Sequence, residues 1–160
     1  MLKKQRITPF LWFDGQAEEA AKFYTAIFAH SRIGKVARYP KGSPGGNDGK
    51  VMTVEFQLDG QPFVALNGGP QFRFNESISF HIACENQDEV DYYWERLLTG
   101  GGKPVQCGWL KDRYGLSWQV NPTLLADVYA AGDAKRAERV MQAMLKMVKL
   151  DLRKLEEAAR

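Results

Sequence analysis

The sequence predicts an α+β fold of paired βαβββ modules with C-terminal helices. Two observations carry that expectation. Runs rich in β-branched and aromatic residues alternate with stretches of helical apolar spacing, and the order strand, helix, strand, strand, strand occurs twice before Pro122. Beyond Pro122 only helical spacing remains. At 160 residues and 18.1 kDa the chain is too short for two independent domains, and with 44% hydrophobic and 26% charged residues it can bury a core and is not low-complexity. The expected organisation is one domain over residues 1–122, with modules at about 6–70 and 76–122, followed by a helical extension over 123–160.

The first module opens with Arg6-Ile7-Thr8-Pro9-Phe10-Leu11-Trp12-Phe13, a strand closed by the turn pair Asp14-Gly15, in which Pro9 marks an edge or a strand start. From Gln16 to Phe28, Ala17, Ala20, Ala21, Tyr24, Ile27 and Phe28 recur at helical spacing. Glu18 and Glu19 fall in the first turn, where the helix dipole favours acids. Three strands follow, at about 31–39, at Val51 to Leu58 with strict alternation, and at Pro62 to Asn67 after the Asp59-Gly60 hairpin turn. Pro40 to Gly49 is a Gly- and Pro-rich loop, expected to be mobile.

The second module repeats the order without repeating the residues. Ser77 to Cys84 is a strand, and Asn86 with Glu89 starts a helix whose Val90, Trp94, Leu97 and Leu98 share a face. Gly100-Gly101-Gly102 stops it. Lys103 to Cys107, Gly108 to Asp112 and Leu116 to Asn121 fit three short strands, the last two joined at Arg113-Tyr114-Gly115, with Asp112 and Arg113 serving the turn. In the tail, Asp133 caps a helix carrying Val140, Met141, Met144, Leu145 and Val148 on one stripe, and Asp151 restarts it with Leu152, Leu155 and Ala159 on one side. That stripe is expected to pack on its own domain in preference to clasping a second subunit, with the basic residues solvated.

Charge and cysteine usage exclude several function classes. A balance of 22 Lys and Arg against 19 Asp and Glu is too even for nucleic-acid binding without a clustered basic face, and none occurs before the tail. The sequence contains no run of 18 apolar residues and no signal-peptide apolar core near its start, so a cytoplasmic location with no membrane partner is expected. Cys84 and Cys107 form no CxxC, offering neither a zinc knuckle nor a disulfide framework.

Several segments narrow the doubled order to a family. Ile7-Thr8-Pro9-Phe10-Leu11-Trp12-Phe13-Asp14-Gly15, Ala20-Ala21-Lys22-Phe23-Tyr24, Leu66-Asn67-Gly68-Gly69-Pro70, the stretch from Cys107 to Gln119 and the tail segment Arg139 to Met147 resemble the PhnB-like, or 3-demethylubiquinone-9 3-methyltransferase-like, family. That family sits in the vicinal oxygen chelate superfamily, with glyoxalase I, fosfomycin-resistance proteins and extradiol dioxygenases. The resemblance implies a glyoxalase/bleomycin resistance/dioxygenase-like fold, its sheet folded around a cavity, commonly in a homodimer.

Enzymes of the superfamily hold a divalent ion with His, Glu or Gln side chains on the first strand of each module and the last strand of the second. The equivalent places here are Ile7 or Pro9, then Ser77, then Gln119, which departs from the pattern at every place tested. No metal and no cofactor are therefore expected. A shifted register would instead bring His81, Glu55 and Gln119 into play; the plainer reading of His81 is a polar wall residue on the face of Ser77 and Ser79. His30, at the end of the first helix, is assigned to the helix dipole. The methyltransferase description would require a Gly-rich strand-to-helix turn to cradle S-adenosylmethionine. Gly45-Gly46-Asn47 leads into a strand and Gly100-Gly101-Gly102 follows a helix, so the sequence shows no such cradle.

The preferred reading is a metal-free module that binds a small organic molecule, with Glu55, Asn67, Ser77, Ser79, His81, Trp109 and Gln119 as ligand-binding candidates in an otherwise apolar pocket. Trp12 and Trp118, like Trp109, are also placed to stack on an aromatic ligand, although core packing is the commoner use of such residues. The alternative is an enzyme of transfer or acid–base type using His81 or Cys107 as the catalytic residue, or a divalent-metal glyoxalase/dioxygenase-like lyase. A purely structural dimer partner is the third class.

Overall fold

The computed structural model describes residues 5–160. The chain divides into two compact units, Met1–Arg73 and Phe74–Arg160. No helix among the described residues is long and apolar enough to cross a membrane.

The first unit contains β1 (Phe10–Phe13), α1 (Ala17–Thr25), β2 (Arg32–Arg38), β3 (Val51–Leu58) and β4 (Gln61–Asn67). Its sheet has the order β1-β4-β3-β2, with β1 parallel to β4 and the other pairs antiparallel. Strand alternation sends Val54, Phe56 and Leu58 to one face, where α1 lies on the sheet through its buried Ala17, Ala20, Ala21 and Tyr24. The small alanines let the helix approach closely, and Tyr24 stacks on Phe56 and Phe56 on Phe63, with centroids 6.2 and 5.4 Å apart. β1 is shorter than the predicted strand because regular pairing starts only after Pro9, whose carbonyl accepts the Val64 N–H at 3.0 Å. α1 also ends early. The Ile27 and Phe28 N–H groups both turn back to the Tyr24 carbonyl, at 3.0 and 3.2 Å, and the exposed His30 lies beyond the helix in left-handed conformation, φ 52°. His30 is therefore a turn residue and not a helix-end charge.

The segment from Pro40 to Gly49, expected as a mobile loop, is internally bonded. The Tyr39 N–H donates to the Lys50 carbonyl at 2.9 Å, the Asp48 carboxylate accepts the Gly42 and Ser43 N–H groups at 2.9 and 3.0 Å, and Pro44–Gly46 forms a single 3-10 turn. This is a compact Ω-type loop.

The second unit contains β5 (Ser79–Cys84), α2 (Gln87–Leu98), β6 (Lys103–Pro104), β7 (Trp109–Lys111), β8 (Ser117–Pro122), α3 (Leu124–Ala130), α4 (Ala134–Met144) and α5 (Leu152–Ala158). The sheet order is β5-β8-β7-β6, again with a parallel pair, β5 and β8. Leu110, Trp118, Val120, Ile82 and Cys84 pack beneath the buried Val90, Trp94 and Leu97 of α2. Asn86 caps α2 as predicted, accepting the Glu89 N–H at 3.0 Å. The strand predicted to Cys107 stops at Pro104, because Val105 N–H and Trp109 N–H close a tight loop onto Trp109 and Gln106 carbonyls at 2.8 and 3.1 Å. Asp112 does more than make a turn: only 3% exposed, it accepts the Tyr114 and Leu116 N–H groups at 2.9 and 3.1 Å and the Trp118 indole N–H at 2.9 Å.

The tail packs within its own unit. Asp133 and Asp151 cap α4 and α5, accepting from Arg136 and Lys154 N–H groups at 3.0 and 3.1 Å. Leu125, Val128, Val140, Leu150, Leu155 and Ala159 form its core. The apolar stripe is narrower than predicted: Met141, Leu145 and Val148 are 45%, 50% and 48% exposed. α4 ends at Met144 and the Lys146 and Met147 N–H groups bond back to Ala143 and Met144, so helical spacing does not reach Val148. Val140 and Met144 of the predicted stripe do face the core, joined by Ala137.

Candidate functional site

The face of the first sheet away from α1 carries Phe10, Val64 and Glu55 in one row across β1, β4 and β3, and Pro62, Gln57 and Arg32 in the next row across β4, β3 and β2. A cavity of about 510 Å³ opens over both rows. Its floor is apolar and its charges sit on β2 and β3. The Arg32 Nε donates to the Gln57 Oε1 at 3.0 Å, while Glu55, exposed, forms no ion pair among the described residues.

On the second sheet, His81, Gln119 and Trp109 stand in register across β5, β8 and β7, with Ser79, Ser117 and Lys111 in the neighbouring row. The Gln119 amide is committed. Its Nε2 donates to Ser79 Oγ at 2.8 Å and its Oε1 accepts from Asn121 Nδ2 at 3.4 Å, a polar ladder running along the face. His81 is exposed beside it, and Lys111 is ion-paired with Glu76, whose carboxyl that hydrogen bond holds below the usual range.

The other sequence candidates serve other places. Asn67 is a structural strap. Its Oδ1 accepts the first helical N–H, of Ala17, at 2.9 Å, its Nδ2 donates to the Val51 carbonyl at 3.0 Å, and its carbonyl accepts the Tyr39 hydroxyl at 2.6 Å. Ser77 precedes β5 and is turned to Asn75, whose Oδ1 accepts its N–H at 3.0 Å. Cys107 sits in left-handed conformation, φ 60°, its N–H bonded to the Met147 carbonyl at 2.9 Å. It lies near Tyr129, whose phenol is pushed up first by burial and then by Cys107. Trp118 is buried core; Trp12 is half-buried and donates to the Gly69 carbonyl at 2.8 Å. Sequence reasoning singled out Glu55 but missed Phe10, Pro62, Val64, Gln57 and Arg32. Alternation from Glu55 could have found Gln57. Arg32 could not be found that way, because the β2–β3 register shifts between Ile33 and Val36.

The family described as 3-demethylubiquinone-9 3-methyltransferase matches residues 5–121. The chain belongs to that family. It lies within the vicinal oxygen chelate superfamily, and its two four-stranded sheets and helices are the glyoxalase/bleomycin resistance-like fold. A PhnB protein from Bacillus cereus carrying the same family description is 36% identical, the match covering 72% of this chain and 97% of that one, with a TM-score of 0.64. Protein PA1353 from Pseudomonas aeruginosa, 19% identical over 74% of this chain and 98% of its own, with a TM-score of 0.61, shows the fold alone. No curated protein matches the chain.

The superfamily's divalent ion can be tested against the residues of this family member. Ile7 and Pro9 carry no donor, and Ser77 stands outside its strand. Gln119 brings no charge, and both ends of its amide are already bonded. On the second unit's open face His81 is one neutral ligand, and the carboxylate of Glu76 is taken by Lys111. Among the described residues no group of three His, Cys, Asp or Glu is placed to hold a metal ion. Two neutral donors do not offset the charge of a dication, so this donor set does not fit one.

Proposed function

We propose that this chain is a metal-free, cytoplasmic, homodimeric protein that binds a small organic molecule on the open face of its first sheet. The observation that carries the reading is the cavity of about 510 Å³, with Phe10, Pro62 and Val64 as apolar floor and Glu55, Gln57 and Arg32 as a few convergent polar groups. That is the usual composition of a small-molecule site. Ser79, His81, Trp109 and Gln119 form a second polar face, in the other unit, for ligand contact. The homodimer is supported by the family resemblance, and the reducing compartment by two free cysteines.

Native mass spectrometry of the purified protein tests ligand and assembly together: a dimer mass with a retained small molecule is expected. Metal analysis after EDTA dialysis is expected to find less than a tenth of an equivalent of nickel, zinc or iron and an unchanged melting temperature. A stoichiometric residual metal would refute the metal-free reading.

A second reading is an enzyme of transfer or acid–base type. It is favoured by His81, an exposed imidazole in register with Gln119. The glycines offer no cradle for a methyl donor, since Gly45 and Gly46 lie in the 3-10 turn before β3 and Gly100 to Gly102 follow α2. Replacement of His81 by Ala separates the readings: ligand affinity stays within about twofold in the binding protein, whereas an enzyme loses turnover with binding retained.

A further inference from the structure

Among the described residues the cavity of the first unit is lined by one carboxylate and one guanidinium, and the two are not paired with each other. Glu55 and Arg32 lie on neighbouring strands of one face, Arg32 in register with Gln57, two residues along β3 from Glu55. What keeps them apart is Gln57, whose Oε1 takes the Arg32 Nε at 3.0 Å and leaves the terminal nitrogens of the guanidinium as donors. What keeps Glu55 accessible is Gly34. It stands against Glu55 where the β2–β3 register shifts, and a Cβ there would meet the Glu55 Cβ at 3.2 Å. Gly34 itself puts no side chain over the carboxylate.

A simple cation held by Glu55 would face Arg32, and a simple anion held by Arg32 would face Glu55. An uncharged guest would leave both desolvated without a partner. A molecule bearing both charges satisfies both groups. Glu55 and Arg32 occupy diagonal positions on the β2–β3 pair, so one small ligand can reach both groups. Beside Glu55 in its row stand Val64 and then Phe10, so an apolar substituent extends over two strands away from the charges.

Resting on the binding reading above, we infer that the ligand of this cavity is a small zwitterion with an apolar body, its cationic group on Glu55 and its carboxylate on Arg32, for which an apolar amino acid is the simplest probe. Glu55 and Arg32 then determine specificity, and Phe10 with Val64 selects the apolar group.

The test is isothermal titration of the full chain with four probes: L-phenylalanine, its amide, its N-acetyl derivative and benzyl alcohol. Phenylalanine is expected to bind at least tenfold more tightly than the other three. Glu55→Gln should bring it down to the level of N-acetylphenylalanine, and Arg32→Gln to the level of the amide, with Arg32→Lys restoring part of the loss. Phe10→Ala should weaken all four. Unchanged melting curves confirm that the variants fold, and both charged residues are exposed, so their replacement leaves the core intact. If any single-function probe matches phenylalanine at a site sensitive to Phe10→Ala, the zwitterion is overturned while the cavity remains a binding site. If none of the four binds, the zwitterion is overturned, and the binding reading falls as well only if native mass spectrometry of the purified protein shows no retained small molecule.

Discussion

Asp112 shows how a short-range reading undervalues a residue. In sequence it precedes a turn, and the turn does donate to it, through the Tyr114 and Leu116 N–H groups. Its second oxygen reaches the indole of Trp118, a core residue, at 2.9 Å. Asp112→Ala leaves three donors unmet, two of them buried, and is expected to cost about 3 kcal/mol or more, read as a lower urea midpoint at unchanged slope. Cys84 offers a pH test at the same scale. Burial, with a smaller contribution from Glu89, pushes its thiol up to about 12, above the ordinary 9.0. The unfolded chain therefore loses this proton first. The stabilisation from the neutral thiol is complete below about pH 9 and is lost as pH rises from 9 toward 12. Cys84→Ala should flatten that part of the stability–pH curve, and in the native wild type Cys84 should resist alkylation at pH 8.

Among the elements, strands and caps were readable because their determinants are local. Alternation through Val54, Glu55, Phe56, Gln57 and Leu58 separated the helix-facing from the open side correctly, and Asn86, Asp133 and Asp151 cap the helices assigned to them. The tail stripe was over-extended because a helical period says nothing about where the helix ends, and α4 ends before Leu145. The element that fastens the tail was invisible in sequence. Gln87, at the start of α2, accepts the Leu152 N–H at 2.8 Å and donates to the Leu150 carbonyl at 3.2 Å and to Asp91 at 3.0 Å. Gln87→Ala should raise amide exchange in α5 by about tenfold while α1 stays protected. Lys149 is hydrogen-bonded to Asp91 at 2.6 Å, and that bond, then Gln87, holds the Asp91 carboxyl below its usual range. The contribution of this half-exposed pair is present at neutral pH and disappears as pH falls through that lowered value, so exchange in α5 should rise in acid.

The whole molecule distributes its charge unevenly. Residues 133–160 hold eight Lys and Arg against five Asp and Glu, which is the entire surplus of three positive charges, and the preceding part is neutral. Several of the basic side chains are already tied to carboxylates, Lys149 to Asp91, Arg153 to Glu157 and Lys154 to Asp151. Binding to duplex DNA should therefore be weak and vanish by about 150 mM salt, as measured by filter retention across a salt series.

By itself the sequence determined the type and order of the elements as far as Pro122, the alternation of Val51 to Leu58, and which residues stand at the places where the resemblance expects metal ligands. These depend on residue identity and on neighbours two to four positions away. Only the tertiary structure decided which residues meet: Arg32 with Gln57, 25 positions apart, across a shifted register, and Gln87 with Leu150, 63 positions apart, where the tail docks. Register and docking are set by packing between distant segments, and neither hydrophobic period nor local hydrogen bonding encodes them. The pairing of Phe10, Val64 and Glu55 in one row, which lines the cavity, is of that second kind.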